Sequence, residues 1–389
     1  METLEKQAVN QYVFHKQHLA KDSRAENVLQ VVRDIVGLHA TSVSTPYLSL
    51  YARMKGFRRE RLDEGLYVRR NLIRLESMRG TLFIFPTEFA PIAFQATKPT
   101  ESKLHRWMQD WGIALSEYQK LSNEIRKVLS DNAKTLPEIK RALPKGIVKT
   151  LERRAGKEVY RMTNLNVALH TMMREGIVGS EKTPRTLRIT EANRYFLLEK
   201  TYPKLNLESV NPEEAKGMLI QRYIQAFGPV TRNDVAWWTG FTQNETGKVL
   251  AAMREELVPV KIAGLKESYL MLQADFNQLT RFHPPEEDSL VLLPYEDPYT
   301  KGYKVRERLI DKKLEKTAYR GGGVQPTIVL NGEIVGIWNR DIESGRGPVK
   351  LHFFQRVGEG LKKEAIQFGR AIGRLMAVGR EVDVRLTNL

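Results

Sequence analysis

The chain has 389 residues, 41% of them hydrophobic, and a formal net charge of +16. That is enough apolar material for several domains, and a charge balance that favours a polyanionic partner. Cysteine is absent, which excludes disulfides, thiolate zinc sites and cysteine nucleophiles; no run approaches the roughly 18 apolar residues of a membrane span, and the start "METLEKQAVNQYVFHKQHL" has no signal-peptide core. A soluble, cytoplasmic protein is expected.

Two amphipathic runs, "ENVLQVVRDIV" (26–36) and "TPYLSLYARM" (45–54), read as helices on either side of the loop "GLHATS" (37–42). "RERLDEGLYVRRN" (59–71) predicts a further helix. "LIRLESMRGTLFIFP" (72–86) predicts two extended segments broken at Arg79–Gly80. In "TLPEIKRAL" (135–143) Thr135 and Glu138 stand at capping-box spacing. "TNLNVALHTMMREG" (163–176) reads as a recognition-type helix ending at Gly176, and "IVGSEKTPRTLRIT" (177–190) as a hairpin turning at Thr183–Pro184.

The most legible stretch is 228–272, "GPVTRNDVAWWTGFTQNETGKVLAAMREELVPVKIAGLKESYLML". Thr231 caps a helix to Trp238, Gly240 turns the chain, and Thr242 with Glu245 opens a second helix to about Leu257. The strands "VPVKI" and "SYLML" complete a winged helix-turn-helix. The pair Trp237–Trp238 offers a base-stacking surface, but its place in a helix-turn-helix core predicts ordinary packing. Past Pro284–Pro285 come short β-rich runs: "SLVLLPYEDPYTKGY", "PTIVLNGEIVGIWNR" with a hairpin at "NG", and "PVKLHFF". The run Gly321–Gly323 lacks a nucleotide-loop ending and reads as a flexible connection. "LKKEAIQFGRAIGRLMAV" (361–378) predicts a closing helix.

Positive charge concentrates in 140–161, with eight Lys/Arg against two Glu, and in 301–320, with eight against Glu307, Asp311 and Glu315. Each is a solvated helix face or, beside winged helices, part of a phosphate-tracking surface.

"GPVTRNDVAWWTG", "RGTLFIF", "LLPYEDPYTKGY" and "NGEIVGIWNR", in that order, resemble the AlkZ/YcaQ-like winged-helix DNA glycosylases, the group that includes the azinomycin-resistance glycosylase. Phe83 stands where that family commonly has a histidine. The resemblance implies winged helices and a β-barrel cradling duplex DNA. It also implies monofunctional cleavage of N-glycosidic bonds at alkylated purines, including bulky adducts and crosslinks, without metal or organic cofactor. The family's catalytic motif, Gln-x-Gln or Gln-x-Asp, lies just ahead of a helix like "PYLSLYAR". Here that slot reads His39-Ala40-Thr41.

The expectation is therefore an α+β chain of four units. These are winged helices at 1–115, 116–205 and 206–283, then a barrel-like domain with a C-terminal helix at 284–389. His39, Thr41 and Asp297 are the candidate catalytic residues, with Glu76 as a second carboxylate. Residues 39 and 41 are expected to face one site and Ala40 the core. Ser42, Ser44, Tyr47, Arg79 and Tyr299 are the candidate substrate contacts, and Lys301, Lys304, Arg306, Arg308, Trp338 and Arg340 the DNA contacts. An imidazole near its ordinary pKa can protonate or hydrogen-bond a departing base; equally, His39 and Thr41 can be a helix cap and a turn residue. The expected partner is double-stranded DNA, bound by a monomer associated with the nucleoid, with no membrane contact. The open alternatives are a non-catalytic winged-helix DNA-binding protein and a glycosylase for neutral, deaminated or modified bases.

Overall fold

The computed structural model describes residues 2–156, 158–182, 192–340, 347–377 and 381–387. Helix Val28–Asp34 begins at Asn27, whose side chain accepts the N–H groups of Leu29 and Gln30. The chain leaves it through Gly37, at φ +96°. A Cβ there would meet the Phe85 ring at 2.6 Å, so glycine is required. His39 is then in a strand and not in a loop, while Ala40 and Thr41 lie just beyond it. Leu38–His39 forms a short strand, antiparallel to Leu82–Pro86 with Leu38 opposite Ile84 and His39 opposite Phe83. Leu72–Glu76 pairs along the other edge of Leu82–Pro86. The predicted break between these two longer strands is a tight turn at Met78–Gly80, with Arg79 at φ 55° and Gly80 at φ 67°. The predicted helix at 59–71 forms as Arg59–Asp63 running into one π turn, Glu64–Val68.

Farther along, Thr135 makes its capping box with Glu138, and helix Asn164–Arg174 stops before Gly176 at φ 73°. Between those helices lies an element the sequence reading lacked. Thr150–Ala155 and Glu158–Thr163 form an antiparallel hairpin, so the basic run 140–161 is mostly a hairpin and not a helix face. Val178–Glu181 pairs with Arg194–Leu197; the expected turn at Thr183–Pro184 lies outside the described residues.

Helix Arg232–Thr239 carries the capping box Thr231–Asp234, and Gly240 at φ 82° turns the chain into helix Gln243–Ala252. This second helix ends five residues before Leu257, where the hairpin Leu257–Ile262/Tyr269–Leu272 begins. The N-terminal strand Glu2–Leu4 adds to it in parallel, with Glu2 opposite Val260.

The last part is a sheet ordered Leu290–Leu293, Thr327–Leu330, Glu333–Asn339, Val349–Phe353, Val384–Leu386, covered by helix Glu359–Met376. Its two edge strands do not pair with each other, so the described residues form an open sheet where a barrel was expected. Asn331 and Gly332, at φ 48° and 91°, are the two-residue turn that "NG" predicts. The glycine run is not a flexible connection either. Gly321 and Gly322 turn a two-residue ribbon, Tyr319–Arg320 against Gly323–Val324.

One hydrophobic core runs from Val9 to Met376. A second, from Met108 to Leu197, belongs to the middle of the chain. No helix among the described residues is long and apolar enough to cross a membrane.

Candidate active site

Helix Ser44–Arg53 builds the site from behind. Arg53 donates to both carboxylate oxygens of Asp297, at 2.8 and 2.7 Å, and Ser49 Oγ donates to Asp297 Oδ2 at 2.6 Å. The remaining reach of Asp297 caps the turn that follows, accepting the Tyr299 N–H at 2.9 Å. Thr45 Oγ1 adds a bond to the Tyr295 carbonyl at 2.7 Å. This latch forces the intervening residue, Glu296, into the left-handed region at φ 60°. A non-glycine residue there costs of order 1–3 kcal/mol and persists only where its surroundings impose it.

What the strain achieves is direction. The Glu296 side chain, 4% exposed, turns inward. Its Oε1 accepts the Val324 N–H at 2.6 Å, its carboxylate pairs with Lys301, and Oε2 lies 3.9 Å from His39 Nε2. The glycine ribbon exists for this contact, because a Cβ at Gly323 would meet Tyr295 Oη at 2.6 Å and Glu296 Oε1 at 3.1 Å.

His39 is 3% exposed and lies edge-on to Phe83, with ring centroids 5.3 Å apart. Neither ring nitrogen has a hydrogen-bond partner among the described residues. Burial, then the positive charges of Lys301 and Arg79, lower its pKa to about 3 against an opposing pull from Asp297. His39 is thus neutral at physiological pH. The expectation of an imidazole near its ordinary value does not hold, first because the ring is buried and then because two cations share its pocket. Ile35, Gly37, Arg79, Phe83, Phe227, Trp238 and Pro298 complete the walls. The cavity has room for little more than one water molecule.

At the mouth, the Arg79 guanidinium lies over the Trp237 ring, 4.0 Å from its centroid. Lys301 and Arg306 approach the same ring at 6.0 and 5.8 Å. Arg306 also pairs with Glu315 at 3.0 Å. Trp238 packs as expected, stacked on Tyr223 at 4.5 Å, whereas its neighbour Trp237 stays half-exposed.

The other predicted residues divide sharply. Thr41 is exposed and accepts the Leu82 N–H at 3.4 Å; it is not among the cavity's lining residues. Ala40, Ser42 and Tyr47 line a neighbouring cleft instead, Tyr47 donating to Asp63 at 2.6 Å, and Ser44 is buried 3.3 Å from Ser42. Asp297 is fully buried and saturated by Arg53 and Ser49, so the carboxylate at the site is its neighbour. Glu76 is tied to Arg174 at 2.7 Å, beside a separate cleft.

Four further expectations are corrected because the side chains point into the fold. Tyr299 is fully buried and donates to the Gly332 carbonyl at 2.7 Å. Arg308, also buried, donates to Asn10 Oδ1 at 2.7 Å. Trp338 and Arg340 donate to the carbonyls of Leu293 and Gly373 at 2.8 and 3.0 Å, both from buried positions. Of the basic residues picked from the C-terminal segment, Lys304 alone is exposed.

A family model described as "DNA glycosylase AlkZ-like" matches residues 32–378. Among solved structures, the Streptomyces sahachiroi DNA glycosylase AlkZ aligns with a TM-score of 0.75 at 18% identity, over 99% of this chain and 100% of that one. At that identity the likeness establishes the fold. No curated protein matches.

Proposed function

The chain belongs to the AlkZ-like DNA glycosylase family, and from that premise we propose that it hydrolyses the N-glycosidic bond of alkylated or bulky-adduct purines in duplex DNA, with His39 and Glu296 as the reacting pair. The observation that carries the assignment is the buried imidazole with two unpartnered nitrogens, 3.9 Å from a carboxylate held by an imposed backbone turn.

Hydrolysis needs a water delivered to C1′ and negative charge near a sugar that becomes oxocarbenium-like. Neutral His39 accepts a hydrogen bond from water through one nitrogen. Glu296 takes the proton or stabilises the sugar's positive charge. Neither residue is a strong acid toward a departing base, since neutral His39 keeps only a weakly acidic N–H and Glu296 serves as the proton's acceptor. The chemistry therefore suits a base that already leaves easily, such as a cationic N7-alkylpurine, over a neutral deaminated one. A cavity of about one water's size also leaves the base outside the protein wall, where an adduct's bulk is no obstacle. We read the three helix sets with their hairpins, over 1–115, 116–205 and 206–283, as winged helices facing the duplex, with 284–389 supplying Glu296. Thr41, exposed and outside the cavity's lining, is read as a contact to the DNA rather than a second water ligand.

The test is a panel of labelled duplexes carrying alkylated, deaminated and bulky-adduct bases, treated with alkali after incubation to reveal abasic sites. Strand cleavage is expected at N7-alkylpurines, and His39→Ala should reduce the single-turnover rate of the folded protein by on the order of 10²–10⁴-fold, beyond any loss of folded fraction. A panel with no cleavage above buffer would leave the non-catalytic DNA-binding reading in its place.

A further inference from the structure

Three segments far apart in sequence converge at the mouth of the His39 cavity: the Arg79 turn, helix Arg232–Thr239 and residues 301–306. Arg79 holds a left-handed backbone at φ 55°, a second imposed strain beside that of Glu296. The turn after the helix closes onto it, since a Cβ on Gly240 would stand 3.3 Å from Arg79 Cγ and 3.4 Å from its nitrogen. Among the described residues Arg79 makes no hydrogen bond and no ion pair. A guanidinium held over an indole ring by cation–π attraction leaves N–H donors free for a further partner.

The cluster is short of negative charge. Arg79, Lys301 and Arg306 gather around Trp237, while Glu296 and Glu315 are the carboxylates paired among them, leaving one positive charge unmatched. Burial disfavours the charged forms of Arg79 and Lys301, Glu296 offsets part of that cost for each, and the cations then oppose one another, Arg306 acting against Arg79 and both against Lys301. A fold that needed only packing here would not concentrate like charges on one ring.

We propose that Arg79, Lys301 and Arg306, arranged on Trp237, form a seat for one phosphodiester of the DNA backbone beside the nucleotide presented to His39 and Glu296. The seat matches a phosphodiester in charge, one negative for one unmatched positive, and Arg79 offers planar paired donors that fit two phosphate oxygens. It rests on the glycosylase reading for the identity of the duplex but is tested apart from catalysis. Positioning follows from it: a phosphate fixed at the cavity mouth sets where C1′ stands relative to the water.

The experiment measures binding of fluorescent duplexes containing a tetrahydrofuran abasic analogue, in which each flanking phosphodiester in turn is replaced by an uncharged methylphosphonate. Wild type should lose affinity sharply at one linkage. Arg79→Ala should bind more weakly, show no further loss at that linkage, and have a log–log salt slope shallower by about one. Its melting temperature should change little, because the lost contact with Trp237 is offset by relief of the cost of holding a cation there. Arg79→Lys should recover the salt slope without recovering full affinity, since it keeps the charge and loses the fork. If wild type and Arg79→Ala respond alike at every linkage, or if Arg79→Ala loses binding only as it unfolds, the seat is refuted. Absence of base excision with an Arg79-dependent linkage effect would instead refute the glycosylase reading and keep the seat.

Discussion

At the scale of single residues, the contrast between Asp297 and Glu296 decides the chemistry. Asp297→Asn breaks a buried bidentate pair and leaves Arg53 uncompensated, which typically costs about 3–5 kcal/mol; thermal melting should show a large drop. Glu296→Gln keeps the Val324 contact and the turn but leaves Lys301 without its counter-charge, so it should also lose some stability; its single-turnover rate should fall much further than the folded fraction accounts for. A Glu296→Gln rate that tracks its folded fraction would overturn the division of labour. His39 makes a second prediction. An unfolded chain protonates a histidine below about pH 6.5, but the folded chain resists until about pH 3. The stability held by neutral His39 is therefore full above pH 6.5 and is lost as pH falls from there toward 3, at up to about 1.4 kcal/mol per unit. Denaturation midpoints of wild type should thus decline more steeply through that window than those of His39→Gln. The excision rate should show no inflection near 6.5 from His39.

The sequence singles out His39 because its neighbours, "PYLSLYAR", mark the slot. It points one residue away from the carboxylate because Asp-Pro-Tyr is the recognisable pattern. An aspartate ahead of proline is a natural N-cap, and here it is consumed as one. Nothing local in "YED" says which acid turns inward; that is dictated by Arg53, 244 residues earlier. Trp237 was likewise read with Trp238 as core, since adjacent helix positions differ in facing but not in composition.

Among elements, those whose signals are local were legible. Capping boxes at Thr135, Thr231 and Thr242, glycine stops at 176 and 240, and the Asn331–Gly332 turn all lie where their residues predict. The two-residue strand at His39 was not, because so short a segment has no period and its pairing partner lies more than 40 residues on. The hairpin 150–163 escaped for a different reason. Its strands are largely exposed and only Leu151 and Met162 pack against the middle core, so they lack the apolar alternation that marks a strand. The strand at His39 also gives an element-scale test. Gly37→Ala places a methyl group 2.6 Å from Phe85 at a positive φ, and both strain and overpacking cost about 1–3 kcal/mol. Melting should fall, and excision should fall further than the folded fraction accounts for, since His39 is two residues away.

At the scale of the whole molecule, the net charge of +16 divides into a working surface and an internal framework. Lys140, Arg141, Lys145, Lys149, Arg154 and Arg161 are exposed. Arg53 and Arg308 are buried. Replacing Arg154 and Arg161 with glutamine should weaken duplex binding and flatten the log–log salt dependence by about one per lost phosphate contact, without changing melting. Replacing Arg308 should unfold the protein and leave the slope of the folded fraction alone. Bulk composition announced the polyanion but could not separate these two populations, because an arginine's direction is set by tertiary partners such as Asn10.

The way the N-terminal segment is anchored has a consequence for how the chain is made. Strand Glu2–Leu4 pairs with Val260–Ile262, Gln17 donates to the carbonyl of Ala226, Lys16 pairs with Asp275, and Asn10 donates to the carbonyl of Arg308, 298 residues later. These partners have not been synthesised when helix Lys6–Lys16 emerges from the ribosome. At the pace of translation it must wait through most of the protein's synthesis, with Val9, Val13 and Phe14, which end fully buried, still in search of cover. The middle unit, with a core of its own from Met108 to Leu197, can close in the meantime. Helix Lys6–Lys16 therefore docks late relative to its own synthesis, and a product cut short before residue 226 lacks all of these partners and leaves Val9, Val13 and Phe14 without that cover, a flag for proteolysis that the finished enzyme no longer shows.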